Sequence, residues 1–143
     1  MLLRRDVMKE IIDTTQFIFA VVGAYFGWFI GGFDGLIYAL AAFVAIDYMT
    51  GVMVGIIEKK LSSSVGFRGI FKKVLIFIFV GIGHTIDFYV LKNGSAVRTA
   101  IIFFYLSNEG LSILENSSKI GLPIPNSLKN IFKDLNKEDE GND

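Results

Sequence analysis

Four apolar runs dominate the chain, at residues 17–32, 35–57, 74–91 and 96–114, each broken at only a few positions by Asp, His, Glu or Arg. Their lengths approach or reach the roughly 17 to 25 residues that an α-helix needs to cross a bilayer. The pattern predicts an all-α, polytopic integral membrane protein. The connections predict its organisation. Gly31-Gly32-Phe33-Asp34-Gly35 is a tight turn, so the first two runs are expected to form a hairpin. Lys92-Asn93-Gly94-Ser95 is a second short turn, which makes the last two runs another hairpin. Glu58 to Lys73 is the main polar connection.

Both ends carry amphipathic patterns. Leu3, Val7, Met8, Ile11 and Ile12 fall at helical spacing opposite Arg4, Arg5, Lys9 and Glu10, as in a helix lying in the membrane interface and leading into span one. After Pro123 and Pro125, Leu128, Ile131, Phe132 and Leu135 recur at i, i+3, i+4, i+7, which predicts a short helix touching the inner leaflet. Residues 136–143 are mostly charged with no apolar side chain, and disorder is expected there. The chain thus divides into an N-terminal amphipathic segment (1–16), a transmembrane helical domain (17–115) and a cytoplasmic tail (116–143). No cleavable leader is expected, because acids alternate with the early cations and no small-residue cleavage pattern follows the first apolar run.

Charge sets the orientation. Lys and Arg gather in the N-terminal arm, in the 58–73 loop (Lys59, Lys60, Arg68, Lys72, Lys73) and in the tail, while the two short turns are nearly free of them. The positive-inside rule then puts both termini in the cytoplasm, a parity that four crossings satisfy. A three-span version, with the fourth segment in the interface, stays open. The loop cations suit anionic lipid better than nucleic acid.

The ionisable groups inside the spans are the candidate chemistry. With about 1.5 Å of rise per residue from each span's midpoint, Asp47 and His84 fall at nearly one depth, Asp87 and Arg98 at another, and Glu109 meets no cation. Insertion scales charge about 2.5–3.5 kcal/mol for a central Asp or Arg, so span four, with Arg98, Asn108 and Glu109, inserts only marginally alone. Arg98, Tyr105, Asn108, Glu109 and Ser112 draw a polar stripe down one face of that span, a candidate lumen lining. The plain alternative is interhelical glue in a static bundle. Gly23, Gly27 and Gly31 in span one, and Gly51 and Gly55 in span two, recur every four residues and allow close helix approach, either for self-association or for the first hairpin alone.

Enzyme chemistry is not expected. Cysteine is absent, there is one histidine, and His84 with Asp87 supplies at most two metal ligands. No nucleophile elbow, dinucleotide fingerprint or phosphate loop is present. No cofactor is implied.

Several segments together carry a family resemblance: Ala45-Ile46-Asp47-Tyr48-Met49-Thr50-Gly51, then Lys59 through Lys73, the Asp87 span, Asn108-Glu109-Gly110-Leu111-Ser112-Ile113-Leu114-Glu115-Asn116, and Gly121-Leu122-Pro123-Ile124-Pro125. In that order and spacing the chain resembles the phage lysis and toxin-secretion holin family. The resemblance implies a protein that accumulates in the bacterial cytoplasmic membrane, oligomerises, and opens holes that release an endolysin or, in toxin-associated relatives, a toxin. Two other classes are compatible with the residues: a small proton or ion channel or transporter subunit, and a membrane scaffold without a pore.

Overall fold

The structure is a computed structural model that describes residues 1–137. It contains α1 (Leu2–Phe29), α2 (Gly35–Ile57), α3 (Ser63–Thr85), α4 (Ala96–Ile120) and α5 (Asn126–Lys137), with α3 continuing as a wider π-helical stretch over Ile86–Leu91. The amphipathic N-terminal segment and the first apolar run are one unbroken helix of 28 residues. Residues 136 and 137, expected in a disordered end, belong to α5; the rest of that expectation, 138–143, lies outside the described residues.

Helix starts follow local chemistry. Asp34 caps α2, its carboxylate accepting from the Ile37 N–H at 3.0 Å, and Ser62 caps α3 through the Val65 N–H at 3.3 Å; both oxygens satisfy donors that a first helical turn leaves open. The Ser62 cap also shows that the polar connection is short. Helix α3 begins at Ser63, so most of the 58–73 loop is helical and Lys72 and Lys73 lie a few turns inside α3. At the other end of α4, Gly121 takes φ +108° while its own N–H and that of Leu122 return to Ser118 and Ser117. This left-handed stop turns the chain back on itself.

Helix α4 is the centre of the bundle, packed against α2, α3 and α5. Ile37, Leu40 and Val44 from α2, Ile76 and Val80 from α3, and Ile102 and Leu106 from α4 form the core with Ile30 of the first turn. Helix α1 stands apart. It touches α3 near its C-terminal end, where Phe26 faces Phe77 and the Phe29 ring fills the space beside Gly81, and it does not lie along α2. The first two runs therefore meet at an elbow and do not pack as the expected hairpin, because Gly31 and Gly32 take φ +85° and +99° and send α1 away.

Three helical stretches, Leu2–Phe29, Gly35–Ile57 and Ser63–Leu91, are long and apolar enough to cross a membrane. Helix α4, 25 residues long, has the length but not the composition, and its polar side chains are taken up by the helices around it.

Candidate functional site

Two buried polar centres tie the bundle together, one at the elbow end and one near mid-height. The elbow centre starts from Asp87, 1% exposed. Its two oxygens accept from the Val97 and Arg98 backbone N–H groups at 3.0 and 2.8 Å. Ser95 makes no capping bond, so an acid from the preceding helix caps α4, where the helix dipole favours negative charge. The π-helical widening carries Asp87, and single-turn π segments often accompany such special placements.

Arg98 then faces away from Asp87. Its Nε donates to the Ile30 carbonyl at 2.6 Å, Nη2 to the Gly32 carbonyl at 3.1 Å, and Nη1 to Asp34 at 2.7 Å. The guanidinium fork thereby holds the elbow between α1 and α2. Asp87 and Arg98 are neighbours, as their depths suggested, but through the Arg98 backbone; the charge partner is Asp34. That Arg98 contact, together with the Ile37 N–H, holds the Asp34 carboxyl below the usual carboxylate range.

At mid-height, Lys73 of α3 bonds to both Asp47 of α2 and Glu109 of α4. Asn116 donates to the Asp47 carboxylate at 3.1 Å and to the Thr50 hydroxyl at 3.0 Å. Asp47 and Glu109 are each 7% exposed, and a cavity of about 270 Å³ beside them is lined by Tyr48, Lys72, Ser112 and Asn116. Glu109, expected without a partner, has a cation.

Asp47 and His84 do not pair. The apolar run of span three starts at 74, whereas its helical stretch runs from 63 to 91; the midpoint shifts by between five and six residues, which moves His84 about 8 Å toward the elbow and brings Lys73 toward the Asp47 level. His84 packs against Gly31 instead: a Cβ on Gly31 would lie 2.6 Å from its Nδ1. With Trp28, Phe29, Thr85 and Phe88 it lines a cavity of about 440 Å³.

The stripe on α4 is used up inside one chain. Arg98 and Glu109 are buried, Tyr105 tilts against Phe79 of α3, Ser112 lines the Asp47 cavity, and Asn108 is half-buried. Among the glycines, Gly27 is covered by Phe33 and Gly31 by His84 and Arg98, Gly55 lies against Leu61 and Gly51 near Asn116, while Gly23 faces open space. The two tracks do not meet each other.

Asp34, Thr50 and Asn116 were not singled out as site residues, and Lys73, expected with the loop cations at anionic lipid, turns inward to Asp47 and Glu109. Asp34 was visible as the acid ahead of an apolar run, the position of an N-cap. Lys73 was visible as a cation with a long stem at the edge of a span, able to reach inward or outward. Asn116 carried no local signal. Among the described residues, no buried side-chain nitrogen or oxygen lacks a partner, and no group of three His, Asp or Glu side chains is placed to hold a metal ion.

Comparison with known proteins decides the family. The sequence model of the Bacteriophage holin family matches residues 24–137, which takes in both polar centres and α5. The chain belongs to this family. Holin family membership points to a non-enzymatic membrane protein. Similar relatives include an uncharacterised 14.9 kDa protein from the nagH 3' region of Clostridium perfringens, 40% identical over 92% of this chain and 99% of its own length. Lmo0128 of Listeria monocytogenes, also uncharacterised, is 44% identical over 82% of this chain and 86% of its own. YqxH of Bacillus subtilis is 37% identical over 66% of this chain and 67% of its own. No solved structure matches.

Proposed function

We propose that this holin-family protein accumulates in the bacterial cytoplasmic membrane, oligomerises and opens holes through which an endolysin, or a toxin in a secretion setting, leaves the cell. The observation that carries the reading is that, among the described residues, every buried side-chain nitrogen and oxygen finds its partner within one chain. A subunit whose Arg98, Asp87, Lys73, Asp47 and Glu109 all have intrachain partners keeps those five charges away from lipid. Helix α1, with Phe17, Phe19, Val22 and Tyr25 exposed and contact to α3 alone, is free to engage a second copy, and Gly23 offers that copy a close approach.

In this reading α1 to α4 all cross the bilayer, α4 shielded from lipid by its neighbours, with the N-terminus and the 121–125 turn on the cytoplasmic side. The loop cations Lys59, Lys60, Arg68 and Lys72 contact anionic headgroups on that side. An ion route would be favoured by an acid left without a partner inside a span, and Glu109 is bonded to Lys73. The test is expression with a soluble cytoplasmic reporter enzyme. Abrupt growth arrest with simultaneous appearance of the reporter in the medium is expected; ion leakage with the reporter retained would sink the proposal in favour of a channel.

A further inference from the structure

Helix α5 does not leave the bundle. After the reversal at Gly121–Pro125 it runs back along α4, its Phe132 ring filling the hollow at Gly110, where a Cβ would lie 2.6 Å from the ring. The same ring meets Phe43 of α2 edge-on at 5.8 Å. Phe43 lies about 12 Å from the Gly35 end of α2 and about 21 Å from the Ile57 end, at 1.5 Å per residue. Around a hydrocarbon slab of about 30 Å, that contact is deep inside the membrane.

One flank of that docked face of α5 is cationic, while Leu128 and Ile131 are exposed on the other. Lys129, Lys133 and Lys137 follow at i, i+4 and i+8 in one line, with Asp134 beyond them; Lys133, Asp134 and Lys137 are exposed and Lys129 is half-buried. Each central lysine costs about 2.5–3.5 kcal/mol against lipid, more than the few apolar residues of so short a helix return. Lipid cannot be the medium along this flank. The far edge of the subunit is the reverse: α1 packs on α3 and has no contact with α5, and Phe17, Phe19, Phe71, Ile78 and Phe79 are exposed along the α1–α3 edge.

We infer that in the assembled hole the docked α5 forms the wall of the water-filled lumen, its Lys129–Lys133–Lys137 line toward water and the α1–α3 edge toward lipid, with further copies of this chain closing the ring. This rests on the hole-forming reading, and it assigns the wettable surface to α5, the α4 stripe being occupied by α2 and α3.

The chain has no native cysteine, which permits a clean test in the full-length protein. In cells carrying the reporter enzyme, a photoreactive benzophenone amino acid replaces Phe132, and Lys133→Cys and Ile78→Cys are made separately. The expected result, once reporter appears in the medium, is cross-linking from position 132 to the peptides holding Phe43 or Gly110, with Lys133→Cys reacting with a water-soluble, charged thiol reagent and Ile78→Cys not reacting. Cross-linking to lipid at that moment would overturn the inference by placing α5 on the membrane surface. So would a docked cross-link with an unreactive Lys133→Cys. Failure of the hole-forming reading is separate, because the reporter then stays inside in every variant.

Discussion

Arg98 and Asp34, 64 residues apart in sequence, meet at 2.7 Å. Because Arg98 also takes the Ile30 and Gly32 carbonyls, one guanidinium fixes the start of α2 and the end of α1 against the first turn of α4. Asp87 secures that turn from its other side. The elbow is thus held at the N-terminus of α4 by two charges, Arg98 of α4 itself and Asp87 of the stretch before it, and beyond its C-terminal contact with α3 the helix α1 is free.

Arg98→Ala should loosen the elbow by about 2–3 kcal/mol, less than a fully buried pair because Asp34 remains half in water. Arg98→Lys should recover only part of this, since an ammonium lacks the fork that serves Ile30, Gly32 and Asp34 together. Equilibrium unfolding in mixed micelles checks both. Equal stability of Arg98→Lys and wild type would count against the fork.

Acid should release the same contact. The Asp34 pKa is lower in the folded protein than in the unfolded chain, so its contribution is present above the unfolded value of about 3.9 and disappears as pH falls below that and through the folded value. In Asp34→Asn the slope of stability against pH should flatten over that acidic window and stay unchanged near neutrality. Thermal melts of both proteins in detergent across the window provide the measurement.

Lys73 answers to two acids at once. Lys73→Met leaves Asp47 and Glu109 buried together and should cost about 3–5 kcal/mol. Adding Glu109→Gln should return part of that loss, with a coupling of about 0.5–3 kcal/mol between the two sites. A double-mutant cycle in micelles that closes additively would remove the shared centre.

Gly110 is small because Phe132 sits on it. Gly110→Ala should overpack the α4–α5 contact by about 1–3 kcal/mol, and Phe132→Ala in the same chain should relieve the overpacking while losing its own ring contacts. The sign of the coupling, read from protease sensitivity at the 121–125 turn, checks the docking of α5. Gly110→Ala behaving as wild type would mean that the helix is not seated there.

Much of this architecture was legible in the chain. The apolar runs predicted an all-helical protein, and helices stand there, but the expected interfacial helix at the start is the first part of α1 and the one in the tail packs on α4. Depth arithmetic placed Asp87 beside Arg98, which holds through the backbone. It failed for Asp47 and His84 because the start of α3 was hidden: Ser62 to Lys73 reads as polar loop, yet Ser62 caps a helix whose first turns carry Arg68, Lys72 and Lys73. Composition located lipid-compatible segments, and helix geometry, not hydropathy, decided where α3 began.

By itself the sequence determined the class of the protein, since long apolar runs in a short chain leave the bilayer as the only solvent that suits them. It also determined the elements, through periodicity, caps and glycine stops that act within a few residues. Only the tertiary structure decided the partners: Arg98 with Asp34, Lys73 with Asp47 and Glu109, Phe132 with Gly110. Those pairings join residues dozens of positions apart, and they depend on the rotation and register of whole helices, quantities that no local pattern encodes.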